Sequence, residues 1–122
     1  MFDTMARILR LKRLELLLKL KPQAKLIWTT YMQDYPIVPY QLEAMRLAAA
    51  NASVILVEVP ATSLTEIESD LKSRTNSDDI GVDAVFMMYE PLGTRPDIYR
   101  VISKFAKEHR IPTAGGLTGW VF

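Results

Sequence analysis

The chain of 122 residues contains no cysteine, which excludes disulfides, thiolate nucleophiles and cysteine-ligated metals. Its single histidine, His109, stands alone, and no grouping of His, Asp and Glu has the spacing of a metal site. No apolar run approaches the roughly 20 residues that a membrane-spanning helix requires. The 15 basic and 14 acidic residues nearly cancel, so nothing draws the chain towards nucleic acid.

Several catalytic signatures are also missing. The first predicted strand is not followed by a GxGxxG turn, and neither a P-loop nor a GxSxG elbow occurs. A phospho-receiver would need carboxylates where Thr29, Thr30 and Tyr31 stand. His109 falls in the last turn of a predicted helix, which favours a solvated cation over a catalytic base. We therefore expect no enzyme, metal or cofactor; an enzymatic alternative would have only Glu90 or Asp34 as its general base.

The chain does contain apolar segments that alternate between helix-like and strand-like patterns. The predicted helices are Arg7–Lys21, Tyr40–Asn51, one opened by a capping box at Ser63–Glu66, and one that starts at Thr94–Asp97 and carries Ile98 and Phe105. The predicted strands are Lys25–Thr30, Val54–Val59 (ended by Pro60), the apolar run that begins at Gly81, and Ile111–Ala114.

This alternation repeats about every 27 to 30 residues, which is the spacing that parallel strands with helical crossovers need. It predicts one domain over residues 1–122 with a three-layer, doubly wound α/β architecture. With right-handed crossovers, the mainly parallel sheet of about four strands takes the order 2-1-3-4.

The polar and aromatic residues after the strands form the candidate ligand site, because ligands of open α/β sheets bind outside the carboxyl ends of the strands. These residues are Thr29, Thr30, Tyr31, Asp34, Tyr35, Ala61, Thr62, Tyr89, Glu90, Thr94, Arg95, Gly115 and Gly116. Such a set suits a small polar ligand with an apolar body. The paired glycines either let a ligand approach the backbone or form a simple turn.

The first predicted helix has two apolar sides. Leu9, Leu16 and Leu20 lie on one side, whereas Leu11, Leu14 and Leu18 lie nearly opposite. One side can cover the sheet, and the other then needs a partner, either another subunit or protein outside this chain. We expect a homo-oligomer that forms through Arg7–Lys21 or through an edge of the sheet.

An ordered set of short motifs resembles the substrate-binding proteins of an ABC transporter family that includes tryptophan- and tyrosine-type components. The motifs are Arg13–Leu17, Pro22–Ile27, Gln41–Arg46, Val57–Pro60, Gly81–Phe86 and Glu108–Pro112. The resemblance covers residues 12–116 and implies the second, Rossmann-like lobe of a periplasmic binding protein of the first type. It also implies an extracytoplasmic location and delivery of a small molecule, such as an amino acid, to an ABC permease.

The chain departs from that family pattern, since no signal peptide, first lobe or return segment is recognisable. We expect an excised domain or a truncated gene product. In the expected ligand surface, Thr30 and Gly115 offer hydroxyl and backbone hydrogen bonds, and Tyr31 offers a ring for stacking. Glu90 accepts from an amino group of the ligand, and Arg95 binds its carboxylate. The alternative is a sensory or regulatory module that uses the same lobe for interaction, without a role in transport.

Overall fold

Helices and strands alternate along the part of the chain that the computed structural model describes, residues 12–87 and 95–114. Helix α1 covers residues 12–20. It is followed by β1 (Leu26–Met32), α2 (Val38–Asn51), β2 (Ile55–Ala61), α3 (Leu64–Thr75), β3 (Ala84–Phe86), α4 (Pro96–Glu108) and β4 (Thr113–Ala114). The predicted order of elements is therefore confirmed.

The four strands form one sheet in the order β2-β1-β3-β4, and every neighbouring pair is parallel. The longest pairing joins β1 to β2, from Leu26 opposite Ile55 to Met32 opposite Ala61. This confirms both the predicted strand order and the doubly wound parallel topology. All strands consequently end at one edge of the sheet, which we name the carboxyl edge and which contains Tyr31 and Ala61.

Two apolar cores lie on opposite faces of the sheet, because successive side chains of a strand point to opposite faces. Trp28 belongs to the core that α3 and α4 cover, together with Ile67 and Ile102. Its neighbour Ile27 belongs to the other core, with Leu17 of α1 and Met45 of α2. The sheet is thus covered by helices on both faces, as the nearly all-apolar strand sequences predict.

Pro60 does not end β2, contrary to the sequence prediction. The strand continues to Ala61, because β2 is an edge strand and Pro60 occupies a position where no donor is needed. The N–H of Ile55 and the carbonyl of Ala61 both bond towards β1, at 2.7 Å and 3.0 Å. Backbone groups alternate in direction along a strand, so Pro60 faces the open side, where its missing N–H costs no ladder bond.

The predicted boundaries around the β1–α2 loop are also wrong by two residues. Strand β1 extends past Thr30 to Met32, since Tyr31 and Met32 pair with Pro60 and Ala61 of the longer β2. Helix α2 begins at Val38 rather than at Tyr40. Pro39 is accommodated in its first turn, where backbone N–H groups have no partner within the helix.

The capping box predicted at Ser63 is replaced by a contact one residue earlier. Ser63 is the N-cap of α3, but its side chain makes no capping bond. The Glu66 carboxylate instead accepts from the Thr62 N–H at 3.2 Å and from the Thr62 hydroxyl at 2.6 Å. At α4, the N-cap is Arg95 rather than Thr94, which lies outside the described residues.

Helix α1 has one buried and one exposed side, as its two apolar sides predict. Leu14 and Leu17 are buried against the sheet, whereas Leu16 and Leu20 are 37% and 56% exposed. Leu9 and Leu11 lie outside the described residues. Leu16 and Leu20 therefore belong to the surface through which we expect the chain to oligomerise. Oligomerisation itself stays a prediction.

His109 connects two helices, whereas the sequence predicts a solvated side chain at this position. It is the C-cap residue of α4, and its ring packs on Phe105 with 4.6 Å between centroids. Its Nε2 lies 3.1 Å from the hydroxyl oxygen of Thr75 at the end of α3. The ring is half-buried because the ends of α3 and α4 meet there.

Candidate ligand-binding site

Three of the five predicted ligand residues lie within the described chain, and all three are at the carboxyl edge. Thr30 and Tyr31 are near the end of β1. Arg95 precedes α4, whose last turn leads into β4, so the start of α4 lies at the edge where the strands end. Glu90 and Gly115 fall outside the described residues. Their predicted roles therefore remain predictions.

The hydroxyl of Thr30 is engaged within the sheet. It donates to the backbone carbonyl of Val59 at 2.7 Å, and the residue is only 1% exposed. The proton that Thr30 could offer a ligand is therefore directed to β2. Thr29 differs, because its equally buried hydroxyl oxygen has no hydrogen-bond partner among the described residues.

Tyr31 belongs to a cluster that joins three elements, which we name the Tyr31 cluster (Tyr31, Arg46 and Glu58). The Tyr31 hydroxyl donates to Oε1 of Glu58 on β2 at 3.1 Å. Arg46 of α2 donates to the same carboxylate through Nε at 2.8 Å and Nη2 at 2.6 Å. Two parallel charge-assisted bonds of this kind fix the orientation of both partners.

The pKa values of the cluster follow from these contacts. The guanidinium of Arg46 is the largest cause that holds the pKa of Glu58 below its usual value, and the Tyr31 hydroxyl acts in the same direction. Burial is the main reason that the pKa of Tyr31 is raised, and the bond to Glu58 raises it further. At neutral pH, the cluster therefore holds a carboxylate and a protonated phenol.

Arg95 is exposed at the carboxyl edge but is paired with a neighbour. Its Nε and Nη2 donate to the two carboxylate oxygens of Asp97 at 3.1 Å and 2.6 Å. This guanidinium is the main reason that the pKa of Asp97 is lowered. Asp97 also accepts from the N–H of Ile98 at 2.9 Å, which fixes it in the first turn of α4. A ligand carboxylate at Arg95 would compete with Asp97.

The loop after β1 and the first turn of α2 carry exposed aromatic and apolar side chains. Tyr35, Ile37 and Tyr40 are 38%, 45% and 75% exposed. Asp34 precedes them with a φ of 68°, a left-handed conformation that Asp adopts more readily than most residues. The loop therefore turns sharply at the end of β1, where the Tyr35 N–H donates to the carbonyl of Met32 at 3.3 Å, and aromatic surface is exposed there.

Sequence reasoning missed the roles of Glu58 and Arg46. The available signal was a single charged residue within the apolar segment Val54–Val59, since a carboxylate in a strand covered by helices needs a partner. The identity of that partner could not be found from spacing, because it depends on how α2 packs across β2.

Residues 12–87 and 95–114 contain no group of three or more His, Cys, Asp and Glu side chains that could hold a metal ion. Within the same ranges, every helix is too short or too polar to cross a membrane.

Comparison with known proteins identifies the fold. No protein-family model and no curated protein matches the chain. Solved structures do match. An ABC domain from Streptococcus pneumonia in complex with L-tryptophan is 19% identical, with a TM-score of 0.71 over 90% of this chain. A ligand-free, open substrate-binding protein with adhesive properties from Clostridium difficile is 24% identical, with a TM-score of 0.66 over 84%.

A conserved domain protein from Vibrio cholerae is as similar as the ABC domain, at 19% identity and a TM-score of 0.71 over 90% of this chain. The chain spans only about a third of these proteins, 35%, 32% and 35% of their respective lengths. At such identities the likeness concerns the fold. The chain thus has the fold of one α/β lobe of the substrate-binding-protein type.

Proposed function

We propose that the chain is the second lobe of an ABC-type substrate-binding protein and binds a small molecule, such as an amino acid, at its carboxyl edge. The observation that carries this proposal is the structural match of 90% of the chain to an L-tryptophan-bound ABC domain and of 84% to a substrate-binding protein. The parallel order β2-β1-β3-β4 supports it, because all strand ends then lie on one side.

In this proposal, different residues at the carboxyl edge bind the carboxylate, the side chain and the amino group of an amino acid. Arg95 exchanges its bond to Asp97 for the ligand carboxylate, since both are bidentate acceptors of the same guanidinium. Tyr31 supplies apolar surface, Gly115 supplies backbone groups, and Glu90 accepts from the amino group. The Thr30 hydroxyl, which the sequence predicts as a ligand group, instead fixes the end of β1 to β2 through its bond to Val59. The ligand is passed to an ABC permease on the extracytoplasmic side.

Calorimetric titration with L-tryptophan and with tryptamine, which lacks the carboxylate, tests this assignment. We expect L-tryptophan to bind more tightly than tryptamine, and Arg95→Ala to weaken L-tryptophan binding about tenfold, or about 1.4 kcal/mol. Lys104→Ala is the matched control, because Lys104 is a highly exposed cation further along the same helix. Equal binding of the two compounds, or no binding of either, would contradict the proposal.

A further inference from the structure

The Tyr31 cluster constrains Tyr31 at both ends of its side chain. The backbone is fixed by the pairing of β1 with β2, and the hydroxyl is bonded to Glu58 at 3.1 Å. Between these points, the ring packs on the core that α1 and α2 cover. The orientation of the ring is therefore set by the position of Glu58.

The Glu58 carboxylate is a well-fixed acceptor. It projects from a strand rather than a loop, and its side chain is 21% exposed. Arg46 bonds both of its oxygens from α2, and this pairing leaves Oε1 placed for Tyr31. Tyr31 thus bonds to a group that two other elements already hold in place.

The strand register gives the direction of the Tyr31 hydroxyl. Tyr31 pairs with Pro60, next to the end of β2, whereas Glu58 pairs with Thr29, two residues earlier along the strands. Arg46, which holds the same carboxylate, lies in the second half of α2, and this helix runs from the end of β1 back to the start of β2. The bond from Tyr31 to Glu58 therefore directs the hydroxyl back towards the middle of the sheet. The phenol oxygen is turned away from the carboxyl edge, where the proposed ligand binds.

We propose that Glu58 is the positioning residue of Tyr31, and that it makes Tyr31 present ring surface rather than its hydroxyl at the carboxyl edge. This inference rests on the proposed function and narrows the ligand class. The part of the ligand that meets Tyr31 is an aromatic or aliphatic group that packs on a ring, not a polar group that requires a phenol donor.

The contact between Tyr31 and Glu58 is tested without any ligand. Tyrosine labelled with ¹³C at Cζ gives one resonance per tyrosine, and Tyr31→Phe identifies that of Tyr31. In the wild-type protein we expect the Tyr31 phenol to titrate above the ordinary tyrosine pKa of 10.0. In Glu58→Ala it should titrate at lower pH, with Glu58→Gln between the two, because the amide oxygen still accepts but carries no charge. An unchanged Tyr31 titration in Glu58→Ala would overturn the inference.

Binding of L-tryptophan tests the consequence for the ligand. We expect Glu58→Ala to weaken binding about fivefold because the ring is no longer held, and Glu58→Gln to recover part of the loss. Glu68→Gln removes the same charge from an exposed position on α3 and should bind as the wild type does. Wild-type affinity in Glu58→Ala would overturn the positioning role.

The two assays separate this inference from the proposed function. In one outcome, the Tyr31 titration responds to substitution of Glu58 but the protein does not bind L-tryptophan. Glu58 would then still be the residue that orients Tyr31, whereas the assigned ligand class and the proposed function would both be rejected. Binding that depends on Arg95 but not on Glu58 would support the proposed function and reject Glu58 as the positioning residue.

Discussion

The indole Nε1 of Trp28 donates a hydrogen bond to Oδ2 of Asp70 at 2.8 Å, and this bond joins the centre of the sheet to α3. Trp28 is fully buried on β1, so its N–H has no access to solvent. The same carboxylate oxygen accepts from Nε of Arg74 at 2.8 Å, and Arg74 also donates to the carbonyl of Ile80 at 3.1 Å. Asp70 therefore satisfies a buried donor and anchors the segment before β3.

We predict that Asp70→Ala lowers the free energy of unfolding by about 1 to 3 kcal/mol, because it leaves the buried indole N–H without an acceptor. Urea unfolding, followed by circular dichroism, measures this loss. In a Trp28→Phe background the donor is absent, so Asp70→Ala should cost clearly less. An equal cost in both backgrounds would show that the bond to Trp28 does not contribute.

Pro60 gives a prediction about self-association. The open side of β2 exposes backbone groups that another strand could pair with, and Pro60 removes one donor from that side. We predict that Pro60→Val leaves the pairing of β1 with β2 intact and increases self-association of the protein through the open side of β2. Sedimentation velocity measures the change.

Pro39→Ala is the matched control for Pro60→Val, since Pro39 lies in the first turn of α2 and not on a strand. It should not alter the association state. If Pro60→Val sediments as the wild-type protein does at every concentration tested, Pro60 does not protect the edge.

Stability should depend on two carboxylates at acid pH. Arg46 lowers the pKa of Glu58 below its ordinary 4.5. Burial alone would raise the pKa of Asp83, but bonds to its carboxylate from the backbone N–H groups of Lys25 and Leu26, at 2.8 Å and 2.9 Å, bring it below its ordinary 3.8. Both groups therefore release their protons more readily in the folded protein than in the unfolded chain.

This sign means that both contributions are complete above the ordinary pKa values and are lost as pH falls through the lower folded values. We predict that the urea midpoint decreases from about pH 6 to about pH 3. Glu58→Gln and Asp83→Asn should each flatten this decrease, because each removes one titrating group. If the urea midpoint of a variant changes with pH as steeply as that of the wild-type protein, the substituted carboxylate has the same pKa in the folded and unfolded states.

The arrangement of elements was predictable because a few strong constraints act on it. Apolar runs such as Ala84–Met87 are too uniform for a half-exposed strand, and the spacing between runs requires helical crossovers. The observed order β2-β1-β3-β4 satisfies both constraints and is the order predicted with right-handed crossovers in a doubly wound sheet. The position of Thr30, Tyr31 and Arg95 at one edge follows in turn from parallel pairing.

Finer features were not predictable because they depend on which neighbour a residue faces. Pro60 reads as a strand terminator until β2 is known to lie at the edge of the sheet. The Glu58 carboxylate reads as an isolated charge until α2 places Arg46 beside it. Thr62 and Ser63 both offer plausible capping hydroxyls, and only the geometry of the turn selects Thr62 as the partner of Glu66.

The most direct test of ligand binding at the carboxyl edge is the mapping of amide chemical shifts in the ¹⁵N-labelled chain as L-tryptophan is added. The account predicts saturable shifts that are confined to the ends of β1 and β2 and the start of α4, around Tyr31, Thr62 and Arg95. Shifts that instead centre on the opposite edge, around Lys25, Asp83 and His109, or a spectrum that L-tryptophan leaves unchanged, would contradict it.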